Sequence, residues 1–383
     1  MKAIAWALKG LAGLTMMSSL AAGAVGLDTT GVVKMAPPTP QRMYLVDPAF
    51  NHMIDGRLHI VDGDSERYLG VVSTGYSASV ALSPERKEIY VATTYYARLN
   101  HGERTDVVDI HDAETLSWKG EIVIPTRHAQ AMAARNLLQT SADGRLLFVQ
   151  NATPATSVTV VDLQARKVLA EVQTPGCWSV YPSPTTRGRF SAMCGNGSML
   201  TVSLDDAGKV LSRKQSAPFF DPDQDPVFTN FDRIDGRFVF VSYHGKVHEL
   251  DLSGEEARAL PPWSLLSAAD AKKAWRPGGY QLVAIHEASK RLFVGMHDKG
   301  EEGSHKNPAK EIWAFDLASR KRVERIPGHE AGVLTVSRGD APRLYALDVE
   351  KNRIVQLDVS GPKARPLRTM KTIGETPIQL ELQ

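Results

Sequence analysis

Apolar and polar residues alternate along most of this chain in short runs, and the runs recur in a fixed order. One alternating run ends in Ser or Thr and is followed by a polar turn. An apolar run centred on an aromatic comes next, and then an alternating run that ends in Asp. Ser79–Val91, Leu138–Val149 and Val283–Val294 show the first half of this unit. Period-2 alternation with turn residues between the runs predicts about four β-strands to a unit. The aromatic stands at Tyr44, Tyr90, Phe148, Phe190, Phe240, Phe293 and Tyr345, a spacing of roughly 50 residues that belongs to propellers and other repeat arrays. The third strand is clearest at Val107–Ile110, Val158–Val161, Val247–Leu250, Ile312–Phe315 and Ile354–Leu357, and Asp162, Asp251, Asp316 and Asp358 follow four of these directly. An Asp in that place is expected to hold a turn through nearby backbone N–H groups.

The two ends of the chain complete the pattern. Met43–Val46 reads as a second strand with no first strand before it, and Thr376–Leu382 as a first strand with no second after it. The predicted fold is therefore all-β: a seven-bladed β-propeller closed by pairing of the C-terminal strand with the N-terminal blade, which leaves no open sheet edge between the termini.

The N-terminus reads as a targeting segment. Lys2 and Lys9 supply a positive region, Gly10–Ala21 an apolar run, and Ala22-Gly23-Ala24 a small-residue cleavage site. This pattern fits an exported protein better than an uncleaved anchor, since the run is short for a bilayer. Residues 1–24 are expected to be a signal peptide, 25–40 a flexible lead-in, and 41–383 a single propeller domain of an exported protein, with no membrane span after cleavage. A net charge of +2 gives no electrostatic footprint for nucleic acid. The two cysteines, Cys177 and Cys194, lie in consecutive predicted strands. Export permits a disulfide between them, and two buried free thiols are the competing reading.

Loop lengths single out one face. The long connections Thr94–Thr105, Pro125–Asn136, Pro261–Tyr280 and Asp298–Lys310 all join second to third or fourth to first strands, which emerge on the same side of a propeller. Long loops on a rigid scaffold are where binding concentrates. Within one of them, Leu265–Trp275 reads as a short helix ended by Pro277-Gly278-Gly279.

A catalytic set is hard to find. There is no G-x-S-x-G, Walker loop or H-E-x-x-H. His244, His248, His286, His297, His305 and His329 lack the close spacing of a ready-made metal site, although one His per blade around the axis would not show in spacing. The run Asp221–Asp225 reads as a solvated turn rather than a calcium loop. More suggestive are Tyr76, at the start of a fourth-to-first loop, and Tyr95, Tyr96 and Arg98, leading into the 94–105 loop. Exposed Tyr and Arg on one rigid face suit a protein partner; for Tyr95 and Tyr96, strand-end packing is the competing reading.

Several segments resemble one family. Tyr95–Ile110 is similar to the R-x-x-x-G-x-R-[ST]-D-x-V-E-V loop of quinoprotein amine dehydrogenase heavy subunits, with Arg98 and Arg104 as its two arginines. Trp275–Tyr280 and the segments around Cys177 and Cys194 also resemble that family. Gln150–Ser157, Gly176–Val180, Pro262–Leu266 and Gly300–Lys306 are similar to its aromatic amine (aralkylamine) branch, of which the methylamine branch is the sister. The resemblance implies a chain with no catalytic residue, cofactor or metal of its own. It implies a heterotetramer of two heavy and two small, cysteine-rich light subunits, with a tryptophan tryptophylquinone in the light subunit. Primary amines are oxidised there to aldehyde and ammonia, and electrons pass to a blue-copper protein of azurin or amicyanin type. Tyr95, Tyr96, Arg98 and Arg104 would belong to the partner face. Tyr76, where the family has Phe, would line the substrate channel, and Cys177 and Cys194 would form a disulfide. The alternatives are a methylamine dehydrogenase heavy subunit, a stand-alone periplasmic binding propeller, and an enzyme with its own metal or quinone on the axis.

Overall fold

The alternating runs become strands, and the strands gather into antiparallel sheets of four or five, apart from one longer path. The computed structural model describes residues 31–371 and 374–383. The expected signal peptide and residues 25–30 of the lead-in lie outside the described residues. From Lys34 to Gln383 the chain is one unit, all-β apart from the five-residue helix Ala268–Lys272 and short 3-10 turns among the described residues.

The first six strands are β1 (Arg42–Asp47), β2 (Gly56–Asp62), β3 (Tyr68–Leu82), β4 (Glu88–Arg98), β5 (His101–Asp112) and β6 (Trp118–Ile124). The C-terminal strand Gln379–Leu382 pairs with β1, Tyr44 opposite Glu381, and extends this group to a seven-strand path. The path divides within β3. Its first half pairs with β2 as far as Gly75, and from Tyr76 onward it pairs with β4. Gly75 makes the change of partner possible. Its φ is +67°, and a Cβ there would meet Thr93 Oγ1 at 2.8 Å. Tyr76 therefore stands inside a continuous strand, where the sequence suggested the start of a loop.

Five further sheets follow in order, built around the strands Leu146–Asn151, Arg189–Cys194, Arg237–Val241, Arg291–His297 and Arg343–Asp348. Within each, the middle strands are buried almost throughout while the outer strand is only half-buried, as in Ser157–Asp162 against Lys167–Gln173. That burial on both faces comes from sheets packing on one another, the arrangement that a near-continuous apolar strand requires. The recurring aromatics sit at these contacts: all seven are at most 3% exposed. Phe148 meets Phe190 at 5.3 Å between ring centres, and Tyr181 meets Phe231, Phe238 and Phe240 edge-on, a geometry that adds about 1 kcal/mol per pair beyond burial.

Innermost strands of several neighbouring sheets also touch. Residues 76–82 pack on 138–140, those on 177–182, then 232–234 on 283–286, 283–286 on 333–336, and 333–336 on 379–382. Buried Gln281 ties two of them, donating from Nε2 to Leu334 O and Leu380 O at 2.9 Å each. The strand-end aspartates hold turns as expected: Asp162 accepts from Ala165 N, Asp316 from Ser319 N and Asp358 from Ser360 N, at 2.7–2.9 Å. The helix is shorter than the 265–275 run suggested. Ser267 and Asp270 form a capping box at its start, and Trp275, 4% exposed, packs into the core instead.

Cys177 and Cys194 lie opposite each other on neighbouring strands and are bonded. The bond closes a loop of 17 residues, so the double substitution C177S/C194S should lower unfolding free energy by about 3 kcal/mol. Urea unfolding under non-reducing conditions tests this; a midpoint equal to the unsubstituted protein's would show that the bond contributes nothing.

Candidate functional site

The segment 94–105, expected as a loop, is the outer end of a long β-hairpin. β4 and β5 stay paired past the body of their sheet: Tyr95 faces Thr105, Tyr96 faces Arg104, and Arg98 faces His101. Leu99 (φ +63°) and Asn100 make the turn, and Gly102 follows at φ +99°. Thr93, Thr94, Tyr95, Tyr96 and Thr105 favour extended backbone, which carries the pairing outward.

One buried carboxylate braces the root of this hairpin. Asp106, 0% exposed, accepts from Arg104 Nε and Nη2 at 2.7 Å each, from Thr94 Oγ1 at 2.8 Å and from His128 N at 2.9 Å. Arg104 Nη2 also donates to His128 O at 3.0 Å. A bidentate guanidinium–carboxylate pair of this kind is both strong and directional. Arg104 is thus held inward, and Arg98 alone of the two arginines stands exposed at the tip. His128 is 2% exposed. Burial holds its pKa down at about 4, with Arg104 adding to the effect and Asp106 opposing it, so at neutral pH it adds no charge to the brace.

The three tyrosines divide between two faces, as period-2 geometry demands. Tyr76 and Tyr96 share one face and meet edge-on, 6.0 Å between ring centres and 77° between planes. Gln130 Nε2 donates to Tyr96 Oη at 3.3 Å, which brings in the neighbouring 125–136 connection. Tyr95 turns to the other face, where its hydroxyl donates to Asp109 Oδ2 at 2.7 Å and Trp118 Nε1 donates to the other oxygen at 2.8 Å. Burial and then Asp109 push the Tyr95 phenol well above its ordinary value. Beyond these anchored rings, Leu99 is 73% exposed at the tip.

Hydrogen bonds and strand pairing run from the hairpin root to the disulfide. His128 pairs with Asn151, whose Nδ2 donates to Ser157 Oγ at 2.9 Å; that hydroxyl donates to Glu171 at 3.0 Å, and Thr156 Oγ1 and Cys177 N both donate to Thr174 O. Two open clefts flank the disulfide. Trp178, Met193 and Phe220 line one, and Pro175, Leu200 and Arg213 the other. Hairpin, 125–136 connection and disulfide thus form one continuous region.

Other sequence candidates lie apart from it. Asp225 is not a solvated turn residue: it is 7% exposed and accepts from Ser242 Oγ at 2.8 Å and His244 N at 2.7 Å. No three or more His, Cys, Asp or Glu side chains converge in a metal-holding group among the described residues. No helix among the described residues is long and apolar enough to cross a membrane. Asp106 is the aspartate of the R-x-x-x-G-x-R-[ST]-D-x-V-E-V resemblance, though nothing in the sequence marks it as the buried acceptor of Arg104, and His128 carries no motif.

Known proteins were compared with this chain. The sequence pattern of the methylamine dehydrogenase heavy chain (MADH) family matches residues 39–381. The methylamine dehydrogenase heavy chain of Methylobacillus flagellatus is 29% identical over 343 residues, spanning 88% of this chain and 84% of that protein. Its counterpart in Methylorubrum extorquens is 30% identical, over 86% of this chain and 80% of that one. Among solved structures, a Bacteroides uniformis protein assigned as a 6-phosphogluconolactonase superposes with a TM-score of 0.60 at 11% identity, covering 90% of this chain and all of that one. Dihydro-heme d1 dehydrogenase NirN superposes at 0.53 with 16% identity, over 90% and 78%. These two likenesses concern the fold alone. The sequence match extends from before β1 into the C-terminal strand and takes in the hairpin, its brace and the disulfide, and on that ground the chain belongs to the methylamine dehydrogenase heavy chain family.

Proposed function

We propose that this chain is the non-catalytic heavy subunit of a periplasmic, tryptophan tryptophylquinone-dependent amine dehydrogenase. It holds a small, disulfide-dense light subunit against the 94–105 hairpin and helps shape the path by which the amine reaches it. The observation that carries this reading is the hairpin tip. A family member over nearly its whole length presents Leu99 and Arg98 to solvent on a two-stranded arm whose root is locked by Asp106. An exposed apolar residue and a guanidinium on a pre-organised arm are what a protein partner uses. With water as co-reactant, the light subunit's quinone would supply the oxidation of a primary amine to aldehyde and ammonia, releasing two protons and passing two electrons one at a time to a blue-copper protein. This chain positions that subunit, in an assembly of two heavy and two light chains.

The fold reading that goes with it is a seven-bladed ring. The seven-strand path counts as two blades sharing β3, the other five sheets supply one each, and the C-terminal strand completes the first. Contacts among several of the inner strands support this count.

The named relatives favour methylamine as the amine. A preference for aromatic amines is the second reading, and the edge-on Tyr76–Tyr96 pair beside the hairpin favours it. Native purification from the periplasm, with mass spectrometry and a visible spectrum, tests the main reading. A small cysteine-rich companion with a band bleached by an amine is the expected result; a colourless single chain would refute it. If Tyr76 helps line the amine path, Tyr76→Phe and Tyr76→Ala should change the ratio of kcat/KM for tyramine to that for methylamine by about tenfold, with little loss of fold stability. An unchanged ratio would remove Tyr76 from the path.

A further inference from the structure

Two of the innermost strands carry the same irregularity. In β3 the ladder with β4 shifts register between Tyr76 and Ser79, and Ser77 between them has φ +50°. In Cys177–Pro182 the ladder with Arg189–Cys194 shifts between Trp178 and Tyr181, and Ser179 has φ +74°. Both serines are buried, and both hydroxyls bond to the 125–136 connection. Ser77 Oγ donates to Ala131 O at 3.0 Å, and Ser179 Oγ accepts from Asn136 Nδ2. The short turn Arg135–Leu137 packs against both strands. A bulge of this kind re-aims the side chain beside it. That side chain is Tyr76 in one strand and Trp178 in the other, each one residue before its bulged serine.

Trp178 opens onto a cleft. It pairs with Met193, is half-buried, and lines a space of about 380 Å³ with Thr156, Gly176, Met193, Phe220 and Thr229. That volume suits a small-molecule site. The walls are fixed. The Cys177–Cys194 bond closes one side. Gly197 (φ +83°) lies so close to Phe220 that a Cβ would meet its carbonyl oxygen at 2.0 Å, and Phe219 N donates to Gly197 O at 2.9 Å. Among the described residues, no charged side chain lines the cleft. An ammonium or carboxylate would lose its hydration there without a counter-charge, whereas an aryl group gains burial against Trp178, Met193 and Phe220.

We propose that this cleft takes the apolar tail of a primary amine, with Trp178 as the residue that selects for it. The inference rests on the amine dehydrogenase reading and adds the substrate class: an amine whose uncharged aryl end enters the cleft while its amino group stays outside. The uncharged lining sets that orientation. The bulge shared with Tyr76, and the bonds that run from Thr174 beside the cleft to the hairpin root, join the cleft to the region that holds the light subunit in that reading. Methylamine has no tail and gains nothing from it.

Equilibrium dialysis of the purified native assembly with labelled 2-phenylethanol tests the cleft apart from turnover, since this probe is the aryl tail with a hydroxyl in place of the amine. One saturable site per heavy chain is expected. Trp178→Ala should weaken binding about tenfold or more, and Trp178→Phe less. Thr229→Lys puts a charge at the cleft wall and should abolish binding with the Trp178 strand unaltered. Leu211→Ala, exposed on the outer strand of the same sheet, should leave it unchanged. In turnover, W178A should raise KM for 2-phenylethylamine about tenfold with kcat within about twofold, and leave both constants for methylamine as they were. No saturable binding, binding that survives both W178A and T229K, or an unchanged KM in W178A would overturn the proposal. An assembly that binds the alcohol through Trp178 but oxidises no amine refutes the amine dehydrogenase reading, and with it the amine as occupant, and leaves an aryl-binding cleft. One that oxidises amines with W178A and T229K indistinguishable from the unsubstituted protein refutes the cleft and leaves that reading standing.

Discussion

Asp106→Ala should release the light subunit. The carboxylate is fully buried and receives four hydrogen bonds, two of them from a guanidinium that has no second acid within ion-pair distance among the described residues. Its removal leaves the Arg104 charge and the His128 N–H unpaired at the hairpin root, at a cost of about 3–5 kcal/mol. Most of that cost is local, because the brace joins β4 and β5 to the 125–136 connection and not to the inner strands. The expected outcome is a heavy chain that keeps its sheets and loses the fixed direction of its arm. Affinity for the light subunit should fall by a hundredfold or more, since a mobile arm must be ordered again on binding. Co-purification yield and a dissociation constant for the two subunits measure this, with circular dichroism as the check on folding. Asp106→Asn retains the size and one carbonyl acceptor and should fall between. Wild-type affinity in Asp106→Ala would show that the arm is not the docking element.

Glu381→Gln should destabilise the contact between the C-terminal strand and the connection that carries Arg135. Glu381 accepts both nitrogens of Arg135 and an amide hydrogen of Gln379. Substitution leaves Arg135 with Asp232 at 3.9 Å as its only carboxylate among the described residues. Removing one side of this partly buried pair costs about 1–3 kcal/mol, whereas replacing both sides with apolar residues of similar volume is often close to neutral. E381Q should therefore lower the urea midpoint sharply, and R135M/E381L should recover most of the loss. The pH dependence has a definite sign. Burial raises the Glu381 carboxyl, but Arg135 outweighs it and the group sits below its ordinary value of 4.5. A depressed carboxyl contributes stability that is complete above about pH 4.5 and is lost as pH falls through the folded value. E381Q should flatten that acid limb. A double substitution no better than the sum of its singles would show that the two groups are not paired.

The two expected results differ in how far the sequence anticipated them. The seven aromatics, the strand-end aspartates and the paired cysteines were each legible, because each depends on the local period of a strand or the chemistry of a turn. The partnership of the C-terminal strand with β1 was legible too, since a first strand without a second has one place to go in a repeat. The hairpin was half legible. Thr94–Thr105 stood out as a long connection, but its Tyr and Thr residues extend the ladder instead of ending it. Tyr76 looked like the first residue of a fourth-to-first loop; Gly75 before it instead lets one strand serve two sheets.

Arg104 shows where local reading stops. In sequence it stands beside Arg98 as one more exposed arginine of the arm. In the fold, period-2 geometry turns it toward Asp106 two residues on, while the His128 backbone arrives from 24 residues away. Arg135 and Glu381, 246 residues apart, carry no mark of each other at all. The sequence by itself determined the strand repeat, the turns, the disulfide and the family, because those follow from short-range periodicity and residue chemistry. Only the tertiary structure decided which charges are paired and which tyrosine lies on which face, because a buried charge takes its meaning from whatever the packing brings within a few ångströms.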